Sequence, residues 1–230
     1  MDRRRMMMAA QTPPTPSIQP YFRLAFTNGL TPEIAPVGTT VTAVGTVTTY
    51  YGHSDTENGA LHISPNPFIV GPKTYRFKYK QSAVRLYAGL YTDWIGFGSG
   101  TYGYIINVGS DNATAAKTGG GVWYIRRVVR WVNNGAGNYL LQLPTQTADQ
   151  VYDLVFTTTG DTTTDGCKLY VDGVLVDTFT LPMNESQVNG SYAQLMEQGT
   201  GGNGFAGSVY LMELYDRVLT ADEVLELYNS

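Results

Sequence analysis

Few side chains in this sequence can do acid–base or nucleophilic work. There are two histidines and one cysteine. A hydrolytic triad needs a histidine against a nucleophile and an orienting acid. His53 sits beside Ser54 and Asp55, which is nearness in sequence and not in space. His62 alternates with Leu61 and Ile63, the pattern of a strand residue. Cys167 reads as a small buried residue, and a single cysteine allows no intrachain disulfide. Glycoside hydrolysis with retention needs two carboxyl groups about 5–5.5 Å apart, hence acids at alternate positions of a strand. No E-x-D-x-E run occurs. Glu213 and Asp216 come nearest, but at three apart they point to opposite faces of a strand. Asp222, Glu223 and Glu226 fall in a helical stretch, where solvation accounts for them. No catalytic residue is assigned, and the chain is expected not to be an enzyme.

Binding chemistry is better represented. Tyr91, Trp94, Phe97, Tyr102 and Tyr104 cluster in a Gly-rich stretch expected to be loop-like. Flat rings on such a stretch can stack on sugars or anchor a protein interface. Trp123 and Trp131, eight apart on one strand, share a face and read as core. Arg126, Arg127 and Arg130 lie on the same apolar run and read as a solvated strand face. With a net charge of −4 there is no electrostatic case for nucleic acid.

The elements that must position these residues are strands. Lys168 to Asp177 places two apolar runs around Asp172-Gly173, a dipeptide that favours a type I′ turn. Counting outward pairs Val171 with Val174, Tyr170 with Leu175, Leu169 with Val176, and Lys168 with Asp177. Tyr75, Phe77 and Tyr79 alternate with Arg76, Lys78 and Lys80, a half-buried strand. Further strands are expected over 21–26, 105–108, 122–132, 139–143, 151–157 and 209–215. Gly52–Gly59 and Pro182–Asn203 read as connections, and Asn133–Asn138 as a turn. Thr220-Ala221-Asp222-Glu223 fits a capping box, and Val224, Leu227 and Tyr228 fall at helical spacing. Together these predict an all-β, two-sheet antiparallel sandwich over 21–230, closed by one short C-terminal helix.

Leu169-Tyr170-Val171-Asp172-Gly173-Val174 resembles the LYVDG hairpin of laminin G-like domains, which share the concanavalin A-like jelly roll. Phe205-Ala206-Gly207-Ser208-Val209, with Leu214-Tyr215-Asp216-Arg217-Val218-Leu219-Thr220-Ala221-Asp222-Glu223-Val224, resembles that family's closing signature. Gly59-Ala60-Leu61-His62-Ile63 and Thr74–Tyr79 resemble two earlier strands more loosely. Val151 stands where the family's W-x-x-V-A strand carries tryptophan. The resemblance implies a jelly roll that binds glycans or proteins. It also makes calcium the candidate metal, since hard-cation sites take loop carboxylates and carbonyls. Asp55 with Glu57, Asp111 with Asn112, and Asp161 with Asp165 lie in suitable loops, but none has a dense pattern, so no ligand is assigned. No other cofactor is expected.

Residues 1–20 differ from the rest. They are basic and Met-rich, then Pro-rich, which suits an extended arm. The apolar run after Arg3, Arg4 and Arg5 is about five residues, short of the 7–15 of an export signal. No run approaches a membrane span. A lectin-like domain with neither export signal nor disulfide fits a virion component, made in host cytoplasm and exposed after lysis. The expectation is therefore a phage structural protein, a head decoration, fibre or attachment module. Arg3, Arg4, Arg5, Pro13, Pro14 and Pro16 would anchor it to other virion proteins. Host glycan as ligand and homo-oligomerisation are also expected. The alternative is a bacterial surface or secreted carbohydrate-binding domain.

Overall fold

The computed structural model describes residues 18–26, 29–44, 47–48, 53–54, 60–67, 71–81, 95–98, 104–110, 123–130, 136–143, 150–180, 193–195 and 207–230. At 44–60, 81–143, 179 and 193–208 that description is of the backbone alone. The strands are β1 (Phe22–Leu24), β2 (Thr40–Val44), β3 (Val47–Thr48), β4 (His53–Ser54), β5 (Ala60–Ser64), β6 (Lys73–Gln81), β7 (Ile95–Gly98) and β8 (Tyr104–Ser110). They continue with β9 (Trp123–Arg130), β10 (Ala136–Leu143), β11 (Val151–Thr158), β12 (Cys167–Val171), β13 (Val174–Phe179), β14 (Ala193–Leu195) and β15 (Gly207–Tyr215). Among the described residues, the helix α1 (Ala221–Tyr228) follows the last strand.

Two antiparallel sheets form the body. One runs β13-β12-β11-β6-β15-β4-β3, with β1 also paired to β15; the other runs β10-β9-β8-β7-β14-β5-β2. Alternation along each strand decides what lies between them. From the first sheet come Phe22, Leu24, Tyr75, Phe77, Tyr79, Leu154, Phe156, Leu169, Met212 and Leu214; Leu61 and Ile63 come from the second. At ~25 cal/mol per Å² of apolar surface, rings of this size dominate the stabilisation. Cys167 is buried in this core, and its thiol donates to Thr158 Oγ1 at 3.3 Å.

The Asp172-Gly173 turn forms as its residue types require, with φ of 50° and 78°. Val171 pairs with Val174 and Tyr170 with Leu175, as counted from the sequence. Beyond that the register shifts: Leu169 faces Asp177 and Lys168 faces Thr178. Val176 is the extra residue of a bulge, so the expected Lys168–Asp177 pairing does not form. The Thr178 N–H donates to Asp177 Oδ1 at 2.8 Å, a local bond that competes with the ladder. Other boundaries also differ. The Gly52–Gly59 stretch contains β4, which pairs with β3 and β15, and Pro182–Asn203 contains β14, which bridges β5 and β7. The return strand begins at Ala136, inside the expected turn.

The outer face of the first sheet carries a second apolar cluster. Val155, Tyr170 and Tyr215 point outward and are covered by Leu219, Val224 and Leu227. Ile18 joins them at 3% exposure, although it falls within the stretch expected to be an arm. Residues 1–17 lie outside the described residues. Tyr228 does not join its expected helical partners; it is 43% exposed.

Candidate functional site

Among the described residues, the polar face of β6 departs from a simple inside–outside alternation. Arg76 points away from the sheet–sheet core, yet it is buried, because α1 lies over it. The register explains its neighbours. Glu213 of β15 faces Arg76 on one side, and Asp153 of β11 lies two residues from Val155, which faces it on the other. Arg76 Nε reaches both Asp153 oxygens at 3.0 and 3.1 Å, and Nη2 donates to Oδ2 at 2.6 Å. Nη1 donates to Glu213 Oε2 at 3.0 Å, and the Tyr215 hydroxyl donates to the same oxygen at 2.7 Å. The remaining reach of the guanidinium goes to the helix: Nη2 donates to the Leu227 carbonyl at 2.6 Å.

The charges continue outward in alternation. Glu213 Oε1 lies 3.0 Å from Arg23 Nη1 on β1. Arg23 Nε lies 2.9 Å from Glu33 Oε2, out of line for a hydrogen bond. At the other end, Lys78 Nζ lies 3.6 Å from Asp153 Oδ2. Burial works against the Arg76 charge, but Asp153 and then Glu213 more than offset it, so its pKa is pushed up. Burial raises the Tyr215 pKa, and the Glu213 charge raises it further. Both carboxylates are thus turned onto a guanidinium beneath a helix. The arrangement clamps α1 to the sheet; it does not present an acid and a base to a substrate.

The segment leading into α1 is fixed just as locally. Thr74 Oγ1 donates to the Arg217 carbonyl at 2.8 Å and accepts from the Leu219 N–H at 3.0 Å. The expected capping box is present: the Glu223 N–H donates to Thr220 Oγ1, and the Thr220 N–H donates to Glu223 Oε2. Arg217 grips Glu223 through two bonds, at 2.9 and 2.6 Å. That grip, aided by the cap bonds against partial burial, holds the Glu223 carboxyl down at about 2.

The sequence-derived binding residues fall mostly beyond this region. Phe97 lies within β7 and Tyr104 begins β8, so both are on strands of the second sheet and not on a loop. Phe97 is in register with Leu195 and Ile106, and Leu195 is in register with Leu61. Tyr91, Trp94 and Tyr102 lie outside the described residues, as do Trp131 and the anchor residues Arg3, Arg4, Arg5, Pro13, Pro14 and Pro16. Among the calcium candidates, Asp55, Glu57, Asp111 and Asn112 also lie outside them. Asp161 is exposed, and hydrogen bonds from the Thr163 side chain and then from the Thr163 N–H, at 3.0 Å, lower its pKa. Among the described residues, no group of three or more His, Cys, Asp or Glu could hold a metal ion. His53 is in a two-residue strand, and burial lowers the pKa of His62 on β5.

Sequence reasoning missed the Arg76–Asp153–Glu213 cluster because alternation alone assigns Arg76 to water. The overlooked signal is that Val155, Tyr170 and Tyr215, all apolar or amphipathic, occupy the same outward positions. Such a face demands a cover, and the capped amphipathic helix supplies it.

Two antiparallel sheets packed face to face, closed by a helix after the last strand, define a lectin-like jelly roll. More particularly, the chain belongs to the concanavalin A-like lectin/glucanases superfamily, whose laminin G family model matches residues 88–225. A comparison with curated proteins finds no match. Among solved structures, domain 4 of AbnA, a GH43 extracellular arabinanase from Geobacillus stearothermophilus, in complex with arabinotriose, is similar. It is 16% identical, with a TM-score of 0.59, over 91% of this chain and 98% of that one. The receptor binding domain of botulinum neurotoxin C/D mosaic serotype is 14% identical, with a TM-score of 0.60, over 91% of this chain and 51% of that one. The binding domain of botulinum neurotoxin DC in complex with SialylT is 12% identical, with a TM-score of 0.60, over 91% and 50%. This chain therefore spans about half of each toxin domain, and at these identities the likeness is one of fold. No helix among the described residues is long and apolar enough to cross a membrane.

Proposed function

We propose that this chain is a non-catalytic glycan-binding module. The observation that carries this reading is the fate of Asp153 and Glu213. Both are buried, and both bind Arg76 under α1. A retaining hydrolase needs its two carboxyl groups open to the sugar. The similar arabinanase domain was captured with arabinotriose and the similar toxin domain with SialylT, which supports an oligosaccharide as the ligand class here. Tyr91, Trp94, Phe97, Tyr102 and Tyr104 are the rings proposed to stack on it, with calcium as the candidate ion.

The test is a glycan microarray probed with the whole chain and with Trp94→Ala. Retention of a defined oligosaccharide class that Trp94→Ala loses supports the reading. A chain that binds no glycan overturns it.

The finer proposal is a virion role, with the part of the expected arm that precedes the buried Ile18 tethering the jelly roll to other particle proteins. Support comes from the basic, Pro-rich composition of that stretch and the single cysteine. Tryptic mass spectrometry of purified particles decides it. Detection of the peptide Met6–Arg23 in stoichiometric amount is expected. Its absence from particles, or a native start near Ala10, favours the secreted or surface-bound alternative.

A further inference from the structure

The two sheets end in β13 and β3 on one side, and in β10 and β2 on the other. Unpaired N–H and C=O groups along such strands invite another strand, so proteins blunt them with charges, bulges, short length or a cover. β13 carries Asp177 and the Val176 bulge. β10 lies against β13. β3 is two residues long. β1, which joins the first sheet through β15, is bridged on its far side by Arg23 with Ile34.

β2 has none of these protections. All five of its residues, Thr40–Val44, pair with β5 with no shift in register. Among the described residues, nothing pairs with its other side. From Ile34 to Gly52 the sequence holds no charged residue, and after Pro36 it holds no proline. Thr40 and Thr42 are exposed on the outer face, while Val41 and Ala43 are half-buried against the core. A strand laid beside β2 would cover the open side of both apolar residues.

The approach to β2 adds a second observation. The Thr39 N–H donates to the Pro36 carbonyl at 3.1 Å, and Gly38 has φ 84°, so residues 36–39 form a tight turn. Val37 stands at its tip, 104% exposed, three residues before β2 begins. The turn asks nothing of that side chain. An apolar group held out beside an unpaired edge suits contact with a neighbour.

The occupant that fits is a second copy. Antiparallel pairing about a two-fold axis at Thr42 sets Thr42 against its own counterpart, Val41 against Ala43, and Thr40 against Val44. Threonine and apolar pairs of this kind are favourable, and no like charges meet although each chain carries a net charge of −4. An uncharged edge offers a foreign strand no charge by which to be selected. We infer that β2 is a self-pairing edge, through which two copies of this chain join their second sheets into one continuous sheet. The inference does not depend on the glycan or virion readings.

Sedimentation equilibrium of the full chain tests it. The native chain is expected to show a monomer–dimer equilibrium. Thr42→Lys sets two ammonium groups face to face at the axis and should raise the dissociation constant about tenfold or more. Thr42→Glu should do the same, and an equal mixture of the two variants should recover the dimer. A thermal melt of each variant confirms that the domain is folded. A native chain that stays monomeric up to its solubility limit overturns the inference. So does a dimer that neither variant weakens, or one that the mixture fails to recover. On the native chain alone, amide hydrogen exchange over Thr40–Val44 should slow as concentration rises. Exchange there that is independent of concentration overturns the inference whatever the variants do.

Discussion

The Arg76 guanidinium donates to the Leu227 carbonyl across 151 residues of sequence, at 2.6 Å. One side chain on the middle of a sheet thereby caps the end of the last helix. The same guanidinium neutralises Asp153 and Glu213, so helix and three strands share one hub. Removing Arg76 would leave two buried carboxylates facing each other. Arg76→Ala is expected to cost about 3–5 kcal/mol, read as a lower midpoint in urea unfolding. Arg76→Lys should recover only part of it, because an ammonium cannot fork among three acceptors. Wild-type stability in Arg76→Ala would remove the hub from the account.

Thr220 and Glu223 make the start of α1 a separate, weaker contributor. Thr220→Ala should cost about 1 kcal/mol. Glu223 adds a pH signature. Its folded-state pKa, about 2, lies below the ordinary 4.5, so its contribution is complete above about pH 4.5 and is lost as pH falls towards 2. The pair is exposed enough that the effect stays within the ~0–1 kcal/mol of surface ion pairs. Subtracting the pH dependence of Glu223→Gln from that of the native chain, between pH 2 and 5, measures it. A difference that grows on acidification contradicts the assignment.

Gly173 has positive φ, and a Cβ added there would lie 3.2 Å from Leu225 Cδ1 and from Tyr228 Cβ and Cδ1. Gly173→Ala should cost more than ~1 kcal/mol, combining strain at φ 78° with displacement of two side chains. Gly29, with similar φ and open space around it, is the control: Gly29→Ala carries the strain alone and should cost less. Thermal unfolding of the two variants side by side separates strain from crowding.

Tyr215 and Tyr21 titrate late. Burial raises both pKa values, with Glu213 adding to the first and Asp216 to the second. The stability they contribute is present below pH 10 and is lost as pH rises through their folded values. Ultraviolet titration should show fewer tyrosines ionising near pH 10 in the native chain than in urea. Tyr215→Phe should reduce that deficit by one; an unchanged deficit places Tyr215 among the freely titrating rings.

How much of this was legible in the sequence follows from which forces are local. The Asp172-Gly173 turn, the α1 capping box and the Tyr75/Phe77/Tyr79 face depend on neighbours a few residues away, and the structure shows all three. The Val176 bulge was not legible, because neither the turn chemistry nor the alternation marks where a strand takes an extra residue. Arg76 was not legible either. Its burial depends on a helix 145 or more residues later settling over it, and the alternation that marks strands carries no information about what covers them. Of the proposed ring cluster, sequence spacing suggested a loop, whereas Phe97 and Tyr104 fall on paired strands.

Saturation-transfer nuclear magnetic resonance on the whole chain, with a panel of arabino- and sialyl-oligosaccharides, tests the central claim most directly. The same samples are then analysed by mass. The account predicts transfer to at least one oligosaccharide, which is recovered at its original length. No transfer to any of them, or the appearance of shorter products, contradicts it.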